Sequence, residues 1–277
     1  MESNSDLKSV MFGLETYLEA FGTEDQRILV RELTAVIGSQ DPNSAVIDAV
    51  VRILGHQQAD KHTFFRSVNG LRKRLDDPLP LYDALSRSQI KSKIWLIEEL
   101  KAIDLHWTNI AVMAGWYGQL VPMLAQRLTF DRVRIVELDS DACRHSDQIV
   151  NIHNIENFRV KSIVADINQL VLHKNGYEWQ VDNFKDNSYT EKFLPDLVIN
   201  TSAEHMTEKW FHQLRFKSID SNPVVAIQTN SLFDVEEHVN CVHSLSHMKK
   251  KFPFSEILYE GELQLKGYKR FMLIGRL

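Results

Sequence analysis

From Asn109 onward the chain is divided into short, nearly continuous apolar runs: Ile110 to Ala114, Val133 to Leu138, Val160 to Ala165, Leu197 to Asn200 and Val224 to Thr229. Runs this short and this apolar suit strands buried on both faces. Each is followed by loop residues and then a helix-like segment, an alternation that predicts a parallel α/β sheet. The last two runs depart from it. Glu256 to Leu265 and Tyr268 to Leu277 are separated only by Lys266-Gly267, too short for a helical crossover. They predict an antiparallel hairpin closing a mostly parallel, seven-stranded, Rossmann-like sheet.

The first hundred residues have a different period. Leu7, Val10, Met11, Leu14, Tyr17 and Leu18 recur at helical spacing, and Gly22 stops that helix. Thr23 and Gln26 have the spacing of a capping box for a second helix carrying Ile28, Leu29, Leu33 and Ile37, which ends near Gly38. Asp41-Pro42 is a third start signal, and Ala45 to Ile53 continue an apolar face to Gly55. A fourth helix is expected from His62 to Leu75, and prolines at 78 and 80 mark a boundary. The division is therefore an all-helical accessory domain, 1–80, and an α/β domain, 81–277, opening with one long helical stretch from Leu81 to Ile103. The accessory domain reads either as a cap on its neighbour or as a substrate-selecting or partner-binding element. Its basic residues Lys61, Arg66, Arg72, Lys73 and Arg74 suit a solvated face or a phosphate-bearing substrate.

Composition narrows the class. With 44% hydrophobic and 9% aromatic residues the chain has enough apolar material for a large core, which argues against disorder. A net charge of −5 argues against a generally basic nucleic-acid coat, although a local patch leaves nucleic acid open as a partner. Two cysteines, Cys143 and Cys241, exclude a disulfide framework and a four-cysteine zinc site. The first residues lack the basic and apolar regions of a signal peptide, and no apolar run approaches the ~20 residues that span a bilayer. A cytoplasmic protein without a membrane partner is expected.

In an open parallel sheet, ligands bind beyond the carboxyl ends of the strands. Four such ends hold suggestive residues. After the first, Ala114-Gly115-Trp116-Tyr117-Gly118 forms a glycine-bearing turn that opens a helix at Gln119. After the second stands Glu137, nineteen residues past Gly118, where a carboxylate can accept both hydroxyls of a ribose or cap a helix. Asp139 reads as the cap of the next helix. After the third, Asp166 can accept the exocyclic amine of an adenine, or cap a turn. After the fourth, Asn200-Thr201-Ser202-Ala203-Glu204-His205 gathers polar groups, with Glu204 and His205 suited to proton transfer or to starting a helix.

This series resembles the successive motifs of the class I S-adenosylmethionine-dependent methyltransferases. Val136-Glu137-Leu138-Asp139-Ser140-Asp141-Ala142 is similar to that family's second-strand motif, and the closing hairpin resembles the one that sets the family apart from nucleotide-binding dehydrogenases. The resemblance spans about residues 85 to 277. It implies S-adenosylmethionine as cofactor, held by Ala114, Gly115, Trp116, Gly118, Glu137 and Asp166. Trp116 replaces the central glycine of the usual motif. No D-P-P-Y or N-P-P-Y follows the fourth strand, which removes the usual signal for methylation of an exocyclic base amine.

The resemblance implies a methyltransferase in which Asn200 orients an unidentified acceptor (small molecule, protein or nucleic acid) and Glu204 or His205 takes its proton. Gln228 and Asn230 are the next candidates for the polar wall. Transfer of an aminopropyl or aminocarboxypropyl group is an alternative, because these motifs read adenosine and not the group moved. A non-catalytic binding or assembly protein retaining the fold is another. His238, Cys241, His243 and His247 are of metal-binding types, but their spacing matches no zinc pattern, and a polar helix near the substrate mouth is expected there, with no metal.

Overall fold

The structure, a computed structural model, describes residues 3–24, 26, 27, 30, 31, 34, 83–151, 159–170, 172, 173, 176–182, 188–217 and 222–277. Helix α1 (Ser3–Phe21) and the helical residues Glu24, Gln26, Arg27, Val30, Arg31 and Thr34 precede α2 (Arg87–Ala102). Then come β1 (Asn109–Met113), α3 (Leu120–Leu124), β2 (Arg132–Glu137), α4 (Ser140–Asn151) and β3 (Val160–Val164). Three further strands, β4 (Leu172–His173), β5 (Gly176–Asp182) and β6 (Ser188–Phe193), precede β7 (Leu197–Asn200). A 3₁₀ turn (Ala203–His205), α5 (Lys209–Lys217), β8 (Val224–Asn230), α6 (Leu245–Lys251), β9 (Glu256–Gln264) and β10 (Lys269–Arg276) complete the chain.

The described residues form a seven-stranded sheet in the order β3-β2-β1-β7-β8-β10-β9. Strands β3, β2, β1, β7 and β8 run parallel, and β10 is antiparallel to both β8 and β9. The expected sheet and closing hairpin are both present. The chain winds outward from β1 to β3 and then returns to the other side of β1, so β1 and β7 flank the topological switch point. That is where a doubly wound sheet opens a crevice for ligands.

Alternation of side chains along each strand divides the apolar residues between two cores. Ile110, Val112, Leu197, Ile199, Val224, Ala226, Met272 and Ile274 face one, with α1, α2 and α3. Ala111, Met113, Val198, Val225, Ile227, Phe271 and Leu273 face the other, with Trp210, Phe211, Met248 and Phe252.

Two differences from the sequence expectation bear on the site. Between β3 and β7, where a helix-like segment is expected, the described residues form the antiparallel sheet β4-β5-β6. The sequence Tyr177-Glu178-Trp179-Gln180-Val181 alternates apolar with polar residues, a period-2 pattern rich in strand formers. Tyr177, Trp179 and Phe193 bury into the second core, and Glu191 ties the small sheet to buried Arg134 of β2 and, at 3.1 Å, to the Trp179 indole.

The stretch from Leu81 to Ile103 is also not one helix. It turns at Leu85-Ser86, and the Ser86 hydroxyl caps α2 by accepting from the Gln89 N–H.

Helix α1 packs into the first core through Val10, Met11, Leu14, Tyr17 and Leu18. Gly13 permits this approach, since a Cβ there would stand 2.0 Å from the Leu85 carbonyl oxygen. Helix α1 stops before Gly22 as expected, and Thr23 and Gln26 form the reciprocal capping box, with bonds of 2.8 and 3.4 Å. The helices expected from Asp41 to Leu75, their basic residues and the boundary at the prolines lie outside the described residues. Among the described residues no helix is long and apolar enough to cross a membrane.

Candidate active site

The turn after β1 is strained in an informative way. Ala114 and Trp116 have φ of 51° and 48°, and Gly118 has φ of 71°. Left-handed backbone is uncommon outside glycine and persists where the surroundings over-determine it, often at ligand sites. Trp116 thus occupies the position where glycine is usual and takes the backbone conformation that glycine favours there. Its ring stacks on Tyr117, centroids 4.8 Å apart. Anything larger at Gly118 would be strained, because a Cβ would stand 2.3 Å from Ser146 Oγ on α4.

Glu137, ending β2, holds this turn. Its Oε2 accepts from the Trp116 N–H at 2.8 Å, and its Oε1 accepts from the N–H groups of Leu138 at 2.8 Å and Asp139 at 3.1 Å. An ionised carboxylate offers roughly four acceptor positions, so capacity remains for a ligand hydroxyl. Asp139 caps α4 as expected, accepting from the N–H groups of Asp141 and Ala142.

Ala114, Gly115, Trp116 and Glu137 line one wall of a cavity of about 350 Å³ at the switch point. The opposite wall is Thr201, Ser202, Glu204 and His205, following β7, and the side wall comes from Asp83, Gln89, Lys93 and Gln119. The described cavity wall therefore joins most of the sequence-predicted residues. Gly118, the last residue of the turn, is not part of this wall. Asp166 stands at the end of β3 outside this wall, its carboxylate bonded to the Asn168 N–H at 2.8 Å and to the Gln169 side chain at 3.2 Å. Asn200 also lies outside the wall and is fully buried: its Oδ1 accepts from the Ser202 N–H at 2.9 Å and its Nδ2 contacts Met206 Sδ at 3.2 Å. It shapes the loop that presents Glu204 and His205.

A buried polar network backs that loop. Glu204 Oε1 receives Arg270 Nη2 at 2.8 Å and Asn230 Nδ2 at 2.9 Å, with both charged side chains 3% exposed. Arg270 Nη1 also donates to the Thr201 carbonyl at 3.0 Å. Removing one partner of such a pair costs about 3–5 kcal/mol, because the other charge stays buried and uncompensated. Gln228 belongs to the scaffold, donating from Nε2 to the Ser92 carbonyl of α2 at 2.9 Å.

Lys93 was not foreseen. It is 6% exposed on α2, its Nζ donates to Gln89 Oε1 at 3.0 Å, and burial, with Arg270 nearby, pushes its pKa down to about 7. The sequence signal was a lysine in the apolar stripe Ile90, Lys93, Ile97, Leu100. Arg270 was missed because β10 is buried on both faces, so alternation gave no cue.

The expected polar helix around His238 to His247 begins only at Leu245; the preceding residues form loops and turns. Cys241 donates to Asn230 Oδ1 and the Leu232 carbonyl, both at 3.2 Å, and burial pushes its thiol up to about 11. His243 stacks between Phe233 and His247. His238 leaves that set and lies against His205, ring centroids 4.7 Å apart.

No family model and no curated protein matches the chain. Solved structures do. The N-methyltransferase NodS from Bradyrhizobium japonicum WM9, in complex with S-adenosyl-L-homocysteine, superposes with a TM-score of 0.50 at 10% identity, over 78% of this chain and 98% of that one. A SAM-dependent methyltransferase from Aquifex aeolicus gives 0.44 at 15% identity, over 74% and 95%. Geranyl diphosphate C-methyltransferase from Streptomyces coelicolor A3(2) gives 0.49 at 8% identity, over 72% and 85%. Strand order, closing hairpin and the NodS superposition together give this chain the Rossmann-like fold of the class I S-adenosylmethionine-dependent methyltransferases.

Proposed function

We propose that the protein is an S-adenosylmethionine-dependent methyltransferase. The observation that carries this reading is the cavity at the switch point, which joins the left-handed turn after β1 and Glu137 on one side to the polar loop after β7 on the other. The donor set suits the cofactor. Glu137 offers a carboxylate to ribose hydroxyls, and Gln119 brings a buried Oε1 that has no protein partner among the described residues. With Glu204 already paired with Arg270, Asp83 and Glu137 leave the wall acidic beside Lys93, compatible with a ligand that carries a sulfonium charge. The cofactor supplies an activated methyl group, so the protein must mainly align the acceptor and exclude water.

On this reading Ala114 to Gly118 and Glu137 hold the nucleoside end, and Trp116 covers it. Asp166 reaches the adenine edge if its turn opens to the ligand. Asn200 fixes the loop that bears Glu204 and His205. An acceptor that keeps its proton at neutral pH has two groups to receive it, His205 on the exposed side of the loop and Lys93, whose amine is substantially neutral near pH 7. Residues 1–80 are assigned the selection of the acceptor, and within them α1 packs on α2, the helix that carries Lys93. A chain beginning at Leu81 that kept full turnover would remove that role. The cytoplasm fits two buried, unpaired cysteines. The test is release of S-adenosylhomocysteine from S-adenosylmethionine by the full chain, in the presence of candidate acceptors, with Glu137→Gln as the impaired control.

A further inference from the structure

Glu204, His205 and His238 each bring one metal-ligating atom within 4.8 Å of the other two. We propose that they form a binding site for a divalent transition-metal ion of the zinc class at the acceptor end of the cavity. The inference deepens the methyltransferase reading and rests on it for its use, though not for its existence.

Two independent observations point to a ligand there. Glu204 is 2% exposed, and its two oxygens are used unequally. Oε1 takes both Arg270 and Asn230, whereas Oε2 is buried with no hydrogen-bond partner among the described residues. A buried carboxylate oxygen left bare is unfavourable, and a cation between the carboxylate and two imidazoles would satisfy it. The second observation is the setting of His238. Its Nδ1 lies 3.0 Å from the Leu232 carbonyl, which can only accept, so the neutral ring carries its proton on Nδ1 and turns the Nε2 lone pair to a ligand. Histidines that bind metals are characteristically oriented in this way by a carbonyl on the other ring nitrogen.

Arg270 and Asn230 orient the carboxylate in the same fashion, through Oε1. Two imidazoles and one carboxylate favour zinc, iron or manganese over magnesium or calcium, which prefer all-oxygen sites. Three protein ligands leave positions free, and Glu204 and His205 line the cavity. An acceptor oxygen or nitrogen bound there would be polarised next to the methyl donor. The substrate class that follows is an acceptor with a metal-binding hydroxyl, carboxylate or amine.

The test is calorimetry of the full chain, stripped of metal, with Zn²⁺ alone and no cofactor. One ion per chain is expected, with affinity at least ~100-fold weaker in His238→Ala and in His205→Ala and unchanged in His243→Ala and His247→Ala. His205 is exposed, so its variant does not put the fold at risk. Absence of binding, parental affinity in either the His205 or the His238 variant, loss of binding on changing His243 or His247, or preference for Mg²⁺ would each overturn the site. S-adenosylmethionine binding measured separately on the same samples distinguishes the two ideas. Metal bound without cofactor sinks only the methyltransferase reading, and cofactor bound without metal sinks only this one.

Discussion

The backbone N–H of Trp116 donates to Glu137 Oε2 at 2.8 Å, joining the turn after β1 to the end of β2. Because the same carboxylate also accepts from Leu138 and Asp139, one side chain fixes the turn after β1 and the start of the loop after β2. A residue that the sequence suggested as a ligand acceptor is thus also the clamp of the site's backbone.

Glu137→Gln should therefore have two effects. An amide presents a donor to at least one of three backbone N–H groups, so unfolding free energy should fall by about 1–3 kcal/mol, read as a melting temperature lower by a few degrees. Affinity for S-adenosylmethionine should fall roughly ten- to hundredfold through loss of a charge-assisted bond. A variant with parental stability would show that the three bonds are not formed in solution, and one with parental affinity would remove Glu137 from the ligand site.

Gly118→Ala places a Cβ 2.3 Å from Ser146 Oγ at φ of 71°. Urea titration should show a loss of about 1–3 kcal/mol. Adding Ser146→Ala should recover part of it, because the nearest obstructing atom is gone, while Ile135 Cδ1 at 2.9 Å and the backbone strain remain. Strict additivity of the two changes would contradict the packing described.

Most of the fold was legible because it rests on periodicity. The apolar runs from Ile110 to Thr229 had to be buried on both faces, and Lys266-Gly267 had to turn the chain back. The β4-β5-β6 sheet was missed even though Tyr177 to Val181 alternate, because the parallel pattern around it called for a helix. Within the site, the placement of Glu137 beside the glycine turn was legible from a local spacing. The partnership of Glu204 with Arg270 was not, since 66 residues separate them and only tertiary structure brings them together. Lys93 left a trace as a charge in an apolar helical stripe. Nothing in sequence linked it to the end of β7. The placement of Asn200 beneath its loop depends on rotamers that spacing does not encode.

Lys93 gives a pH signature. Its folded pKa is lowered from 10.5 to about 7 by burial, so below about pH 7 the native state holds a buried charge that the unfolded chain hydrates freely. Between about 7 and 10.5 the unfolded state binds more protons, and stability gains from this residue as pH rises. Lys93→Met should accordingly stabilise the protein most below pH 7, with the advantage shrinking towards pH 10.5. Denaturation midpoints of the two proteins across that range provide the comparison. A difference independent of pH, or one growing with pH, would show that the lysine is not buried as described.

The central claim is that the cavity between the Trp116 turn and the Glu204 loop accepts S-adenosylmethionine, and calorimetry of the full chain tests it without knowledge of the acceptor. Titration with S-adenosylmethionine and S-adenosylhomocysteine should give one site per chain for each, with no heat of binding from NAD. Binding of NAD in preference to both, or binding of none of the three, would contradict the account.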